Sequence, residues 1–348
     1  MKLKFQNFIK ILIMNRLLTN LIEIFHKYFE LEGANEIVIL KEKELFLCIN
    51  GKWEEVKDEA FRKEVINDFL TFLANDREQQ FNKKNRTLST SIPGTNYRVQ
   101  ALHKTALNNQ DFSINIRIPP KKVFDIKSFK IVNDLPFTYE DILAFIPGRK
   151  NILISGGTGS GKTSLLNTML KEVDKDERLV IIQDSPELRS SNKNQTSILV
   201  DKKDTGTFTY QDAIDAATRL FPERLILGEL DTRNTLMSLR LNNTGHAGTI
   251  STVHANSAED ALYAMNLNIR FERDISDKTI MEYITRAVDY IIQIERNKAT
   301  NEREIVEILD LKQWSKNQQL NTNDDLPVTV GYLKKLFKEL VASILKRD

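Results

Sequence analysis

Cysteine is nearly absent from this chain of 348 residues, which contains only Cys48. One thiol cannot form a disulfide framework, and it cannot supply a four-cysteine zinc site, so no bound zinc is expected. Chains without disulfides are typical of reducing compartments. We therefore expect a cytoplasmic protein.

An excess of one charge is also missing, because 50 lysines and arginines face 48 aspartates and glutamates, which gives a net charge of +2. The two signs are interspersed, whereas proteins that bind polyanions concentrate basic residues on one element. Sequence-specific binding of nucleic acid is therefore not expected. With 41% hydrophobic and 28% charged residues, the composition is that of a soluble globular protein, and the length favours two domains.

No apolar run reaches the roughly 18 to 20 residues that a membrane-spanning helix requires. Residues 8–25 are apolar enough to suggest a signal sequence or an anchor, but polar residues interrupt them and no small-residue cleavage site follows. Their apolar side chains recur at helical spacing, in one stripe formed by Met14, Leu18, Leu21, Phe25 and Tyr28. We predict an amphipathic helix that packs in the core, with docking on a membrane surface as the alternative.

The first part of the chain, residues 1–125, has the pattern of a small α+β domain. Apolar and alternating runs predict strands at 36–40, 44–49, 53–56, 97–102 and 112–118, and helical spacing predicts a helix at 61–74. The dipeptide Asn50-Gly51 marks a tight hairpin turn, and two prolines end the last strand. Residues 126–150, which contain a Pro-Gly breaker, are predicted to be a linker with a short helical segment at 139–145.

After residue 150 the pattern changes to short apolar strands separated by helical stretches, which is typical of a parallel sheet. The strands are predicted at 151–155, 179–183, 225–228 and 249–253. We assign residues 151–315 to this α/β domain. Residues 316–348 are predicted to be a polar linker and an amphipathic helix with the apolar stripe Leu333, Leu336, Phe337, Leu340, Val341, Ile344 and Leu345.

A glycine-rich segment, Gly156 to Thr163, reads GGTGSGKT between a predicted strand and a predicted helix. This is the pattern of a P-loop, whose backbone N–H groups curl around phosphate oxygens. Lys162 is placed to reach the outer phosphates, and the Thr163 hydroxyl to hold Mg²⁺. The predicted nucleotide-binding residues of this segment are Gly157, Thr158, Gly159, Ser160, Gly161, Lys162, Thr163 and Ser164.

Carboxylates follow two other predicted strands. Glu229 ends the apolar run 225–228, where an acid is expected to bind the metal or polarise the attacking water from a strand beside the P-loop strand. A solvated strand end is the alternative. Asp184 and Glu187, which follow the strand at 179–183, are further candidates.

Two histidines, His246 and His254, flank a short strand in the segment TGHAGTISTVHANS at 244–257. Nothing nearby supplies a third nitrogen or sulfur ligand, so metal binding is disfavoured. The glycines and threonines of the segment suggest a loop that senses the state of a phosphate, or a polar structural role.

Together, the P-loop, the acidic box at 183–187, the LILGE strand and the TGH…HAN box resemble, in order and spacing, the type II/type IV secretion ATPase superfamily. The segments YRVQAL, with Arg98, and SINIRIPP, with Arg117, are similar to the VirB-type traffic ATPases of type IV secretion systems. Type II secretion ATPases usually add a four-cysteine zinc module, which this chain cannot build. Pilus-retraction ATPases match the SINIRIPP strand less well.

The resemblance implies an α/β fold with a RecA-like P-loop NTPase C-terminal domain and a smaller α+β N-terminal domain. It implies a cytoplasmic homohexamer that is peripherally associated with the inner membrane, where it binds inner-membrane components of a type IV secretion system. The hexamer would couple the binding and hydrolysis of ATP, with Mg²⁺ as cofactor, to substrate export or pilus assembly. By position, Arg98 and Arg117 would contact the nucleotide and Glu229 would help to activate water. Glu187 matches the last acid of the Asp box and His254 the His-box histidine, and both are predicted to be catalytic together with Lys162.

The chain departs from the usual motifs at four positions, which are Gln183, Phe221, Asp231 and Asn234. These changes spare the phosphate cradle but remove charges that relatives carry, so slow hydrolysis is expected. The alternatives are a nucleotide-dependent hexameric scaffold with little hydrolysis and a pilus or conjugation ATPase of the same superfamily.

Overall fold

The structure is a computed structural model that describes residues 22–76, 78–119, 123–132, 135–200, 208–272 and 275–321. It divides into two compact units, Met1–Lys122 and Val123–Asp348. Among the residues described, no helix is long and apolar enough to cross a membrane.

The first unit contains a six-stranded antiparallel sheet and helices on one of its faces. Its strands are β1 (Ala34–Lys41), β2 (Glu44–Ile49), β3 (Lys52–Lys57), β4 (Thr87–Ser91), β5 (Arg98–Leu102) and β6 (Ser113–Arg117). Their order is β3-β2-β1-β6-β5-β4. Helix α1 is described over 22–29, and α2 spans Lys63–Asp76.

Alternation along the strands determines which face of this sheet is buried. In β1 and β6, Ile37, Ile39, Ile114 and Ile116 point into a core that also contains residues of α1 and α2. The Asn50-Gly51 turn has positive φ at both residues (51° and 83°), as a tight hairpin turn of this kind requires. The predicted strands of this unit and its second helix are confirmed, whereas β4 was not predicted. Most of the predicted first helix lies outside the described residues.

The second unit is built on an eight-stranded sheet. Its elements are β7 (Phe129–Ile131), α3 (Tyr139–Ala144), β8 (Ile152–Ser155), α4 (Lys162–Met169), β9 (Leu179–Gln183), β10 (Gln195–Leu199), α5 (Tyr210–Arg219), β11 (Arg224–Leu227), α6 (Thr235–Asn243), β12 (Ile250–Val253), α7 (Ala258–Glu272), α8 (Asp277–Ala287), β13 (Tyr290–Arg296), β14 (Arg303–Asp310) and α9 (Leu311–Asn321). The strand order is β10-β9-β11-β12-β8-β13-β14-β7, and β14 runs antiparallel to β13.

Every residue of β8, β9, β11 and β12 is buried, because helices cover both faces of the sheet. One apolar cluster joins the sheet to α5, α6, α7 and α8, and a second joins its other face to α3 and α4. The fold class predicted from the motifs, an α/β P-loop domain with a smaller α+β domain, is confirmed.

Two segments differ from their predicted character. Residues 126–150 were predicted to be a linker with a short helical segment at 139–145, which is observed as α3. The strand β7 was not predicted, and the apolar side chains of both elements pack in the core of the second unit. Residues 316–321 were predicted to begin a polar linker and instead complete α9. The C-terminal stripe from Leu333 onward lies outside the described residues.

Candidate nucleotide-binding site

The P-loop connects the end of β8 to the start of α4, as the sequence predicts. Gly159 and Gly161 have φ of 76° and 107°, which side chains rarely allow. A β-carbon on Gly156 would collide with the carbonyl oxygen of Ile294 in β13. The loop therefore requires glycine for its conformation at two positions and for a close backbone contact at a third.

Lys162 begins α4 and is buried. Its ammonium group donates to the carbonyl oxygens of Gly156 (2.8 Å) and Gly157 (3.0 Å), so it lies inside the curve of the loop. Its third contact is the Nδ1 atom of His254, at 3.1 Å. The lysine is thus held within the loop where phosphate oxygens are expected to bind.

His254 links the lysine to the acid that follows β11. While Nδ1 faces Lys162, Nε2 lies 3.0 Å from Oε1 of Glu229. An ammonium group can only donate, so Nδ1 accepts and Nε2 carries the proton that is donated to the carboxylate. A neutral imidazole therefore joins Lys162 to Glu229 in one hydrogen-bonded chain, which we call the Lys-His-Glu chain.

Strand order explains how these three residues meet. The sequence places Glu229 on a strand beside the P-loop strand, but β12 lies between β8 and β11. His254 directly follows β12, so its side chain spans the gap from Lys162 to Glu229. His246 precedes β12, at the opposite edge of the sheet. The two histidines therefore do not form a metal site together.

The loop after β9, which carries Glu187, is held by two amide side chains. Gln183 accepts hydrogen bonds from the backbone N–H groups of Glu187 (3.0 Å) and Leu188 (2.9 Å). On α4, Asn167 donates to the carbonyl oxygen of Glu187 (3.0 Å) and accepts from the N–H of Arg189 (2.8 Å). The acidic box is thus tied to the helix that begins at the P-loop. Asn167 was not predicted from the sequence, where its only signal is an amide between buried positions of α4.

Asn234, another departure from the usual motifs, fixes the backbone around Glu229. Its side chain is buried, donates to the carbonyl oxygen of Glu229 (2.9 Å) and accepts from the N–H of Asp231 (3.0 Å). Thr252 of β12 donates to the carbonyl oxygen of Gly228 (2.7 Å). An amide can make both bonds of Asn234, whereas a carboxylate could only accept.

The motif resemblance predicts a positive charge at the position of Asp231, and a cation lies beside this residue. Arg233 forms an ion pair with Asp231, and its guanidinium lies 4.9 Å from the ring centre of Tyr210. Burial of the phenol, together with the negative charge of Asp184, raises the pKa of Tyr210. The region next to Glu229 therefore keeps a positive group, two residues further along the chain.

Phe221 does not lie at the phosphate cradle. It precedes β11, whereas the P-loop follows the parallel strand β8, so the two lie at opposite edges of the sheet. Its backbone has a φ of 54°, and its side chain is 84% exposed. The length of β11 therefore separates Phe221 from the phosphate cradle, which this change spares.

The residues present fit a magnesium ion bound together with nucleotide. Thr163 lies in the first turn of α4 and offers a hydroxyl oxygen, while Glu229 supplies a carboxylate. No group of three or more potential metal-ligating side chains occurs within the described ranges. Magnesium at phosphate sites usually takes one or two protein oxygens and completes its shell with phosphate and water, so these few oxygen ligands are appropriate.

The two arginines of the first unit are direct neighbours. Arg98 of β5 is the cross-strand partner of Arg117 of β6, and Arg117 is also opposite Glu36 of β1. They share the face of the sheet that points away from the apolar core, since Val99 and Ile116 point into that core. The prediction that these arginines act as a pair therefore has a geometric basis within the sheet.

Residues 84–323 match the model of the family described as Type II/IV secretion system protein. The chain is 27% identical to the type IV secretion system protein VirB11 of Bartonella henselae, over 76% of this chain and 85% of that protein. It is 36% identical to the conjugal transfer protein TrbB of Rhizobium radiobacter, over 48% of this chain and 51% of that protein.

Solved structures with the same fold include the ATPase DotB of Legionella pneumophila, with a TM-score of 0.59, 16% identity and coverage of 89% of this chain and 84% of that one. The pilus retraction motor PilT, solved with bound ADP, gives a TM-score of 0.58, 18% identity and coverage of 91% and 92%. The motif resemblance is confirmed: the chain belongs to the type II/IV secretion system protein family, and its relatives include traffic proteins of type IV secretion.

Proposed function

We propose that this protein is a cytoplasmic ATPase of a type IV secretion system, which works as a homohexamer and couples ATP binding and hydrolysis to substrate export or pilus assembly. The observation that supports it best is the Lys-His-Glu chain, which joins the P-loop lysine to the acid after β11. A lysine aimed at phosphate and a carboxylate placed to activate water are the two groups that hydrolysis of a phosphoanhydride requires.

In this mechanism the P-loop N–H groups and Lys162 bind the outer phosphates, and the positive end of α4 adds to their binding. The Thr163 hydroxyl would hold Mg²⁺, which would supply positive charge to the phosphates. Glu229 orients a water molecule and accepts its proton as the water oxygen attacks the terminal phosphorus. The bond from that phosphorus to the bridging oxygen breaks, and ADP leaves. His254 contacts both Lys162 and Glu229, so a change at the phosphate reaches the acid through one side chain.

Arg98 and Arg117 are proposed to contact the same nucleotide from the first unit. Two guanidinium groups on neighbouring strands can neutralise charge on phosphate oxygens, and arginine suits this because it donates in a fixed fork. Nucleotide exchange would then change how the first unit is held. Such a clamp provides the conformational step that a motor requires.

The test is Mg²⁺-dependent phosphate release by the full chain, measured together with particle size by light scattering. We expect release by the wild type and its loss in Lys162→Ala and Glu229→Gln. Glu282→Gln on the exposed side of α8 is the matched control, because it removes the same charge away from the site. A wild-type protein that binds no ATP, or variants as active as this control, would contradict the proposal.

A nucleotide-dependent scaffold with little hydrolysis is the second candidate. It is motivated by Gln183 and Asp231, whose side chains hold loops and a neighbouring arginine where relatives have other charges. ATP-induced ring formation without phosphate release would favour the scaffold. A turnover of about 1 s⁻¹ or more, the lower end for typical enzymes, would exclude it.

The proposed partners are inner-membrane components of the secretion system, at which the hexamer would bind peripherally. A pulldown with the purified inner-membrane proteins, with and without ATP, tests this association. We expect ATP to strengthen binding, because the clamp orders the first unit around the nucleotide.

A further inference from the structure

The side of the P-loop away from Glu229 has a second cationic feature. There β8 is followed in the sheet by β13 and β14, and the last residue of β13, Arg296, is the direct cross-strand partner of the first residue of β14, Arg303. Ile294 and Ile305, each two residues away, pack with α4 in one apolar cluster. Because alternate residues share a face, both arginines lie on the face of the sheet that carries α4.

Arg303 lies directly against the phosphate loop. A β-carbon built on Gly161 would be 2.8 Å from Cδ and 3.0 Å from Nε of this arginine. On its other side, the guanidinium lies 4.3 Å from the ring centre of Phe124. The side chain is therefore fixed between the P-loop backbone and an aromatic ring.

The charges of this arginine pair are not balanced by acids among the described residues. The Nε atoms of Arg296 and Arg303 are buried there without a hydrogen-bond partner, and neither guanidinium forms an ion pair. Burial, and then the charge of Arg296, lowers the pKa of Arg303. The buried Arg224 in the same unit differs, because Glu177 accepts from its guanidinium at 3.1 Å.

Two like charges placed opposite each other on neighbouring strands destabilise a sheet, and burying donors without acceptors adds to that cost. An anion bound between them would relieve both effects. The adjacent anion-binding element is the P-loop, which Arg303 contacts at Gly161. The arginine pair therefore extends the phosphate site toward β13 and β14.

The position of the Lys-His-Glu chain indicates which end of a bound nucleotide lies on which side of the P-loop. His254, which follows β12, contacts Lys162 of the P-loop, and Glu229, which follows β11, contacts His254, so the terminal phosphate is expected on the side of β12 and β11. The other end of the nucleotide must leave the loop on the opposite side, toward β13 and β14. We propose that Arg296 and Arg303 bind the α-phosphate of a nucleoside di- or triphosphate whose outer phosphates are held by the P-loop. This inference rests on the proposed nucleotide site and assigns the contact with its inner phosphate.

The experiment measures binding of ADP, ADPαS and ADPβS to the full chain by calorimetry. Arg303→Gln and Arg296→Gln are each expected to weaken ADP binding about tenfold, the loss of one hydrogen bond to a charged group. The sulfur of ADPαS weakens the same contact, so the difference in affinity between ADP and ADPαS should be smaller in the arginine variants than in the wild type. The difference in affinity between ADP and ADPβS should be the same in the variants and the wild type. This comparison is a double-mutant cycle between protein and ligand.

Arg303→Lys keeps a positive charge and an aliphatic stem against Gly161 but loses the planar fork, so it tests the contact even if the glutamine variant does not fold. An intermediate loss of ADP binding is expected. Arg270→Gln on α7 is the control and should bind like the wild type.

Three outcomes would overturn the inference: undiminished ADP binding in the arginine variants, coupling to the β-sulfur in place of the α-sulfur, or wild-type affinity in Arg303→Lys. If ADP binding is lost in Lys162→Ala but unchanged in the arginine variants, only this inference fails. If the wild type binds no nucleotide, the proposed function fails with it.

Discussion

At the scale of single residues, the P-loop glycines offer a graded test of backbone geometry. Gly157 has no positive φ and open space at its β-carbon, Gly159 has a φ of 76° and open space, and Gly161 has both a φ of 107° and the stem of Arg303 in contact. Alanine should therefore change the free energy of unfolding least at Gly157. We expect a loss of about 1–2 kcal/mol at Gly159 and more at Gly161.

Urea denaturation of the three alanine variants measures this series. The variants are matched, since each adds one methyl group to the same loop. An equal loss at all three positions would mean that the loop adapts and that its glycines are not needed for conformation.

His254 makes a second residue-scale prediction. Because its ring joins Lys162 to Glu229, His254→Ala should lower the rate of phosphate release by roughly 10²-fold, as for loss of a positioned proton-handling group. ATP binding should change little, since Lys162 keeps its two backbone contacts. Phosphate release and ATP binding measured on the same sample separate these effects.

His246→Ala is the control for this prediction. That histidine lies in the same motif but at the other edge of the sheet, before β12. Loss of hydrolysis in both variants would assign the effect to the stability of β12 and would remove His254 from the mechanism.

The residue types of the site could be predicted from the sequence, but their arrangement could not. The P-loop pattern depends on local spacing, so Lys162 and Thr163 follow from eight consecutive residues. The contact between Lys162 and Glu229 through His254 depends on β12 lying between β8 and β11. Strand order is a long-range property, and a single sequence does not contain it. For the same reason Arg296 and Arg303 gave no signal, since they meet only by pairing of β13 with β14.

At the scale of elements, one buried arginine joins β11 to three other segments at the edge of the sheet opposite the P-loop. Arg224, the first residue of β11, is 2% exposed and donates to Glu177 and to the carbonyl oxygens of Ile146 and Gly248. We expect Arg224→Met to lower the free energy of unfolding by about 2–4 kcal/mol, because it leaves two buried carbonyls without this donor and leaves Glu177 paired with Arg149.

Urea denaturation of Arg224→Met and of Arg270→Met tests this prediction. Arg270 pairs with Asp277 near the surface, where such pairs contribute about 1 kcal/mol or less. Similar losses for both variants would show that the buried arginine is not required to join these elements.

Five strands were not predicted from the sequence, and they differ in their physical features: β4, β7, β10, β13 and β14. Strand β7 has three residues, too few for a pattern, and β10 and β4 expose part of their length at or near sheet edges. Strands β8, β9, β11 and β12 were predicted correctly because both faces are buried, which produces continuous apolar runs. The interior strand β13 is also largely buried, but Gln293 interrupts its apolar run, and charged residues interrupt that of β14.

At the scale of the whole molecule, the candidate groups are divided between two units. The P-loop and the Lys-His-Glu chain lie in the second unit, and the neighbouring pair Arg98 and Arg117 lies in the first. A nucleotide held only by the second unit would stabilise that unit alone. A nucleotide that both units hold would stabilise both, which makes coupling between them measurable.

Amide hydrogen exchange with and without ADP distinguishes these cases. At ADP about a hundredfold above its Kd, β8 and α4 should gain up to about 2.7 kcal/mol of protection against opening. If Arg98 and Arg117 contact the nucleotide, β5 and β6 should also gain protection. In Arg98→Ala with Arg117→Ala, protection should remain at β8 and disappear at β5, whereas Lys162→Ala should abolish both. Protection confined to the second unit in the wild type would contradict the clamp, and a motor built on it would then require another link between nucleotide state and movement.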